Sequence, residues 1–136
     1  MTKLETLYEW LGACEIITDW LYFNAVRMEQ NNVSLNPISD NVITSYASGA
    51  SENELVFAID FIKLYDLEQS DTNIDSMESV LGLAEWISTE TTLPDFGDGF
   101  ITNKVEILEE VPSILVDQDL NLCKYQFQAK VSYTKL

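Results

Sequence analysis

Three short constellations in this 136-residue chain could do chemistry. Asp71, Asn73 and Asp75 match the first three liganding positions of a calcium loop. Ser76 then stands where the turn requires glycine, and Gly82 stands where a bidentate glutamate should close the site. The expected role of these residues is capping a helix, where short polar side chains satisfy free N–H groups and carboxylates suit the dipole. Asp95-Phe96-Gly97 spells a metal-binding tripeptide of protein kinases, but the chain is too short for a kinase and has no Gly-rich phosphate loop. What remains is a loop of two glycine turns carrying an exposed Phe96 or Phe100, a candidate contact with a partner. Glu109 and Glu110 are adjacent carboxylates of the kind used in acid–base chemistry. Among 23 acids such adjacency is expected to mark a solvated face.

The chain has no histidine, which removes the commonest general base, a common zinc ligand and every Ser-His or Cys-His nucleophile arrangement. Cys14 and Cys123 cannot build a zinc site alone. They lie far apart among apolar neighbours and read as two buried free thiols. Trp10, Trp20 and Trp86 come with no basic groove, so they are expected to pack and not to stack on bases. No catalytic residue, metal or cofactor is expected, and the chain is not expected to be an enzyme.

The charge distribution is more informative. Asn121 to Leu136 hold Lys124, Lys130, Lys135 and no acid, while the remainder sets four bases against all 23 acids. In that last segment Cys123, Tyr125, Phe127, Ala129, Val131 and Tyr133 alternate with Lys124, Gln126, Gln128, Lys130, Ser132 and Thr134. A period of two over a dozen residues predicts a long strand with one buried and one polar face. The polar face, with Lys124, Gln126, Gln128 and Lys130, is a candidate interface for an acidic partner, including another copy of the chain. A net charge of −16 argues against nonspecific binding to nucleic acid or anionic membrane.

The elements that must position these residues begin with a helix. Thr2-Lys3-Leu4-Glu5 reads as a capping box, and Leu4, Leu7, Tyr8 and Leu11 follow helical spacing, giving a first helix over about 3–11 stopped at Gly12. Trp20 to Met28 reads as extended. Asn31-Asn32 turns into a short strand, Val33 to Leu35. Pro37 and Asp40-Asn41 end that strand, and Val42 to Tyr46 forms another. Leu55 to Tyr65 is apolar on both faces apart from Asp60 and Lys63, the pattern of a central strand in a covered sheet. Asp71 to Asp75 should cap a second helix over about 75–90, with Met77, Val80, Leu81, Ala84 and Ile87 on its apolar side. A strand over 103–111 is interrupted by Pro112 and resumes at Ile114 to Val116, before the final strand. The expected class is α+β: a largely antiparallel sheet of five or six strands carrying two helices, in the order α-β-β-β-β-α-β-β, within one domain over 1–136. The absence of an apolar leader or a membrane-length run places the expected assembly in a reducing cytoplasm.

Several of these pieces recur together. Leu7-Tyr8-Glu9-Trp10-Leu11, Ser45-Tyr46-Ala47-Ser48-Gly49, Phe57-Ala58, Ala84-Glu85-Trp86-Ile87, Leu93-Pro94 and Lys124-Tyr125-Gln126-Phe127-Gln128 occur in the order seen in tail-terminator proteins of long-tailed phages. Those proteins are often described as minor capsid proteins. The chain resembles that family over nearly its whole length. The resemblance implies a virion protein with no catalytic motif, assembled as a hexameric ring that caps the tail tube and joins it to the head connector. Its expected partners are further copies of itself, the tail-tube protein and the connector or stopper protein, with DNA passing through unbound and no membrane involved. A lumen passed by DNA should be acidic, and Asp66, Glu68, Asp71, Glu106, Glu109 and Glu110 are the candidates. Charge alone supports a different class, an acidic DNA mimic occupying a basic partner, which the Lys-bearing final strand fits poorly.

Overall fold

The computed structural model describes residues 1–15, 17, 21–25, 32–108 and 113–136, with Ser113 and Ile114 described by their backbone alone. The elements are α1 (Lys3–Gly12), β1 (Leu21–Phe23), β2 (Asn32–Ser45), β3 (Ser51–Leu64), α2 (Ser70–Thr89), β4 (Phe100–Ile107), β5 (Ser113–Asp117) and β6 (Leu122–Lys135). Six strands form one sheet in the order β1-β2-β3-β6-β4, with β5 on the β6 edge that β4 also uses. The β1–β2 pair is parallel and every other pair is antiparallel. The α+β class holds. The order does not, because three strands precede α2 and three follow it.

The difference lies in β2. Its two expected short strands are one strand of 14 residues. Pro37 does not break it because β1 pairs only with Val33 to Leu35, so at Pro37 the strand is already at the sheet edge. There a missing N–H leaves no partner unsatisfied. Register shifts at Pro37/Ser39 and Val42/Thr44 absorb the remaining irregularity as bulges. Of the expected extended stretch from Trp20 to Met28, Leu21–Phe23 is strand, and Trp20 and 26–28 lie outside the described residues. So does Pro112.

Helix α1 follows its sequence signals. The Thr2 hydroxyl accepts from the Glu5 backbone N–H at 3.2 Å and donates to the Glu5 carboxylate at 3.1 Å. The helix includes Gly12 and is capped at Ala13. Helix α2 begins five residues earlier than expected, so Asp71 to Asp75 lie inside it. Its N-cap, Gln69, makes no side-chain cap bond. The early start is tied down by Asn73, whose amide donates to the Asp66 carbonyl at 2.8 Å and accepts from the Asp66 N–H at 3.0 Å. The buried stripe of α2 is Ser76, Val80, Leu83 and Ile87, and Leu81 is exposed. Ser76 is tolerated because its hydroxyl donates to the Leu64 carbonyl at 2.9 Å.

Both helices cover the same face of the sheet. Leu7, Trp10 and Leu11 of α1 and Val80, Leu83 and Ile87 of α2 share one cluster with Leu55, Phe57, Ile59 and Phe61 of β3. Tyr125, Phe127, Ala129, Val131 and Tyr133 of β6 complete it. The final strand therefore buries its apolar face as its alternation requires. The Trp10 and Trp86 rings meet at 4.9 Å, and the Trp10 indole N–H donates to the Thr92 carbonyl at 2.6 Å. Cys14 and Cys123 are buried free thiols.

Phe127 is fully buried between β3 and the helices, so Phe127→Ala is expected to cost about 3–5 kcal/mol. Leu83→Ala should cost about 2–5 kcal/mol, while Leu81→Ala, on the exposed side of the same helix, should stay within about 0.5 kcal/mol. Urea unfolding of the three variants checks the assignment of the helix face. Equal losses at Leu81 and Leu83 would reject it.

Candidate functional site

The face of the sheet turned away from the helices holds most of the polar residues singled out in the sequence. In the β3–β6 register Asp60 faces Gln126, Ile62 faces Lys124, Ala58 faces Gln128 and Val56 faces Lys130, while β4 brings Glu106 opposite Lys130. The candidate interface residues of β6 thus lie in a row.

That row is already paired within the chain. Asp60 is buried, yet its carboxylate accepts from the Gln126 amide at 2.7 Å and from the Asn36 amide, and it lies 3.4 Å from the Lys124 amine. Three donors around one carboxylate satisfy its lone pairs, which is the condition under which a charge can be buried. Lys130 lies 3.0 Å from Glu54 and 3.2 Å from Glu106, and Lys104 lies 3.5 Å from Glu106. The bonds to Glu54 and Glu106 hold the Lys130 amine above its ordinary pKa, and Lys130 chiefly holds the Glu106 carboxyl below its own. Lys124 and Lys130 thus each lie beside carboxylates of the same molecule. Gln128 is half-buried between these two ion clusters.

The aromatic candidates also turn inward. Phe96 is 7% exposed, against the expectation of an exposed ring. Its ring meets Tyr133 at 5.3 Å and Phe100 at 6.5 Å, and Phe100 meets Tyr133 at 5.8 Å. Gly97 and Gly99, at φ +94° and +86°, make the two turns that fold Phe96 back under the sheet end. Phe100 is half-buried as the first residue of β4. Beside this cluster Lys3 donates to Asp40 at 2.5 Å and to the Tyr133 hydroxyl at 2.8 Å, and that hydroxyl donates to Asp40 at 2.6 Å. The motif ties α1, β2 and β6 together. It is not legible in the sequence, since Lys3 and Tyr133 are 130 positions apart. Asp60 does leave a signal, as a charge inside an apolar strand.

The acidic candidates separate into two places. Asp66, Glu68 and Asp71 are exposed around the start of α2, where Asp71 suits the helix dipole. Glu106 lies on the sheet face turned away from the helices, matched by two lysines. Glu109 and Glu110 lie outside the described residues. No Lys or Arg occurs between Lys63 and Lys104, where nine acids do, four of them (Asp71, Asp75, Glu78 and Glu85) within α2. Among the described residues no group of three or more His, Cys, Asp or Glu could hold a metal, and no helix is long and apolar enough to cross a membrane.

These pairs make the final strand sensitive to charge. Lys124→Glu removes the cation beside buried Asp60 and adds a second carboxylate, so it should cost about 3 kcal/mol, whereas Lys135→Glu on the exposed strand end should cost no more than about 0.5 kcal/mol. Equal, small effects in chemical denaturation would show that Asp60 does not need Lys124. The Lys3–Tyr133–Asp40 motif makes the fold sensitive to alkali. Burial, then the bond to Asp40, raises the Tyr133 phenol above its ordinary value of 10.0. For Lys3 burial acts downward, but its bonds to Asp40 and Tyr133 outweigh it and raise the amine above 10.5. Both groups keep protons in the folded chain that the unfolded chain releases. The stability they contribute is whole below about pH 10 and is lost as pH rises through their folded values. Thermal unfolding should show this decline, and Tyr133→Phe should flatten it. An unchanged slope in the variant would assign the decline elsewhere.

No family model matches the chain, and no curated protein matches it. Among solved structures, a chain in the virion of a native gene transfer agent (GTA) particle superposes with a TM-score of 0.61, covering 94% of this chain and 91% of that one at 9% identity. At that identity the likeness is one of fold, and it extends over nearly the whole of both chains.

Proposed function

We propose that this chain is a structural subunit of a phage-like virion, and within it the ring-forming tail terminator that closes the tail tube and joins it to the head connector. The observation that carries the reading is the fold shared along nearly the full length with a chain of a gene transfer agent virion. The sequence resemblance to tail terminators adds the narrower role.

On this reading the partners are other copies of the chain, the tube protein and the connector, and DNA crosses the ring without binding. The acidic candidates differ in how well they suit that path. Glu106 is neutralised by Lys130 and Lys104. The exposed Asp66, Glu68 and Asp71 at the start of α2 lie in no ion pair among the described residues, so that surface is the better one for a DNA path.

Negative-stain imaging of the protein mixed with purified tail tubes tests the role. Rings at one tube end are the expected result, and bare tube ends at every ratio would reject it. A subunit of charge −16 should also self-associate more readily as salt rises. The Debye length falls from ~30 Å at about 0.01 M to ~3 Å at about 1 M, which removes most of the repulsion between copies. Light scattering across that range reads the trend, and association that weakens with salt would contradict it. A DNA mimic would instead compete with DNA for a basic partner, and displacement of DNA by this protein would favour that alternative.

A further inference from the structure

Both helices end at one place. Ala13 caps the C-terminus of α1 and Glu90 that of α2. Both line a single open groove of ≈ 540 Å³, together with Trp10, Glu15, Trp86 and Thr92. A helix C-terminus carries partial negative charge and is ordinarily stabilised by a nearby Lys or Arg. Neither helix has a basic residue in its last turn. Each end meets a carboxylate instead, Glu15 just beyond α1 and Glu90 at the cap of α2. The segments that build the groove lie in runs without a single base, 4–26 and 64–103.

The groove is held in shape by hydrogen bonds. The Trp10 indole N–H donates to the Thr92 carbonyl at 2.6 Å, and the Thr92 N–H donates to the Glu90 carboxylate at 3.0 Å. The Glu90 N–H donates to the Trp86 carbonyl at 2.8 Å. One carboxylate is thereby fixed beside two indoles whose centroids lie 4.9 Å apart. Nothing fits between rings that close, so a ligand must lie against their groove side, chiefly against half-buried Trp86.

We propose that this groove takes the arginine side chain of a partner protein, with the guanidinium against the Trp86 indole and its N–H groups on the Glu15 and Glu90 carboxylates. The site goes beyond the assembly reading and stands without it.

Packing accounts for Trp10, which is buried and bonded to Thr92. It does not account for two helix ends that each add an acid where a base would stabilise them. A cation seated between them offsets both dipoles and both carboxylates at once. The mixed lining selects the cation. A guanidinium lays its flat face on an aromatic ring while its in-plane N–H groups reach carboxylates. An ammonium has no such face, and a quaternary amine has no donor. A second copy is a poor source, because the chain holds one arginine, Arg27, against 23 acids and would bring a charge of −16 with it.

N-acetyl-arginine amide titrated into the isolated protein tests the site. The Trp86 indole N–H and the Thr92 backbone N–H report binding by proton–nitrogen NMR, with the indole signal assigned from Trp86→Phe. Saturable shifts in the millimolar range are expected, which is what one side chain can supply, and they should weaken as salt rises. The citrulline analogue, of the same shape without the charge, should bind at least about tenfold more weakly. Glu15→Gln with Glu90→Gln should lose the arginine compound by a similar factor and leave the citrulline analogue unchanged, since glutamine can still accept from Thr92. Circular dichroism checks that this variant folds, and the salt dependence of the wild type carries the test if it does not. Equal binding of the arginine and citrulline compounds would reduce the site to an apolar groove and overturn the inference. So would the absence of a saturable shift, a shift indifferent to salt, or tighter binding of tetramethylammonium than of the arginine compound. Wild-type oligomers that are dispersed both by the arginine compound and by Arg27→Gln would assign the side chain to a second copy and overturn the partner source.

Discussion

The register of β3 against β6 is the constraint on which the rest of this molecule depends. Fourteen consecutive residues pair from Ser51↔Lys135 to Leu64↔Leu122. That alignment puts Leu55, Phe57, Ile59 and Phe61 beside Val131, Ala129, Phe127 and Tyr125 under the helices. A slip of one residue would turn the apolar set of one strand to the opposite face. Hydrophobic burial opposes such a slip, and Asp60 opposes it independently. Only in this alignment does its carboxylate meet the Gln126 amide and the Lys124 amine away from the core. A buried ion pair of this kind is weak evidence for stability, because desolvation offsets much of the attraction. Its value here lies in rejecting the wrong alignment, which would leave a charge buried without partners.

The same balance governs the surface. Among the described residues Lys3, Lys104, Lys124 and Lys130 all lie within 4 Å of carboxylates in the chain. These cations are committed, and the remaining acids, concentrated around α2, repel any copy that approaches from the helix side. Uncharged surface then becomes the permissive surface. The end of β2 and its turn into β3, where the eleven residues from Asn41 to Ser51 carry no charge, stand out against that background more than their modest apolar content would suggest.

Much of this can be read from the residues, and the failures have physical causes. The final strand is legible because a period of two over a dozen positions has no competing explanation. Helix α1 is legible because its cap and its apolar stripe agree. β2 reads as two strands because Pro37 and Asp40-Asn41 are turn formers wherever a strand is paired on both sides, and nothing local reveals that this strand lies at an edge. The start of α2 is hidden because Ser, Asp, Thr and Asn form helices poorly. It is secured by Asn73 folding onto Asp66, a contact outside the helical pattern. Phe96 reads as exposed because its neighbours are Asp and Gly, and only the packing of Phe100 and Tyr133 makes a pocket for it. The polar row of β6 is evident in the alternation, but its partners are not. Glu54, Asp60 and Glu106 reach Lys130 and Lys124 through strand pairing across long stretches of sequence.

The contact between the two indoles has a practical consequence. Trp10 and Trp86 lie 4.9 Å apart at an interplanar angle of 44°, close enough and oblique enough for their excited states to couple. Coupled indoles give a circular dichroism couplet that vanishes when the rings separate. Because one ring belongs to each helix, the couplet reports the docking of α1 against α2. The backbone signal in a protein of this kind follows the sheet and the helices together. The molecule thus carries an optical gauge of its own helix layer, able to show whether that layer loosens while the sheet persists.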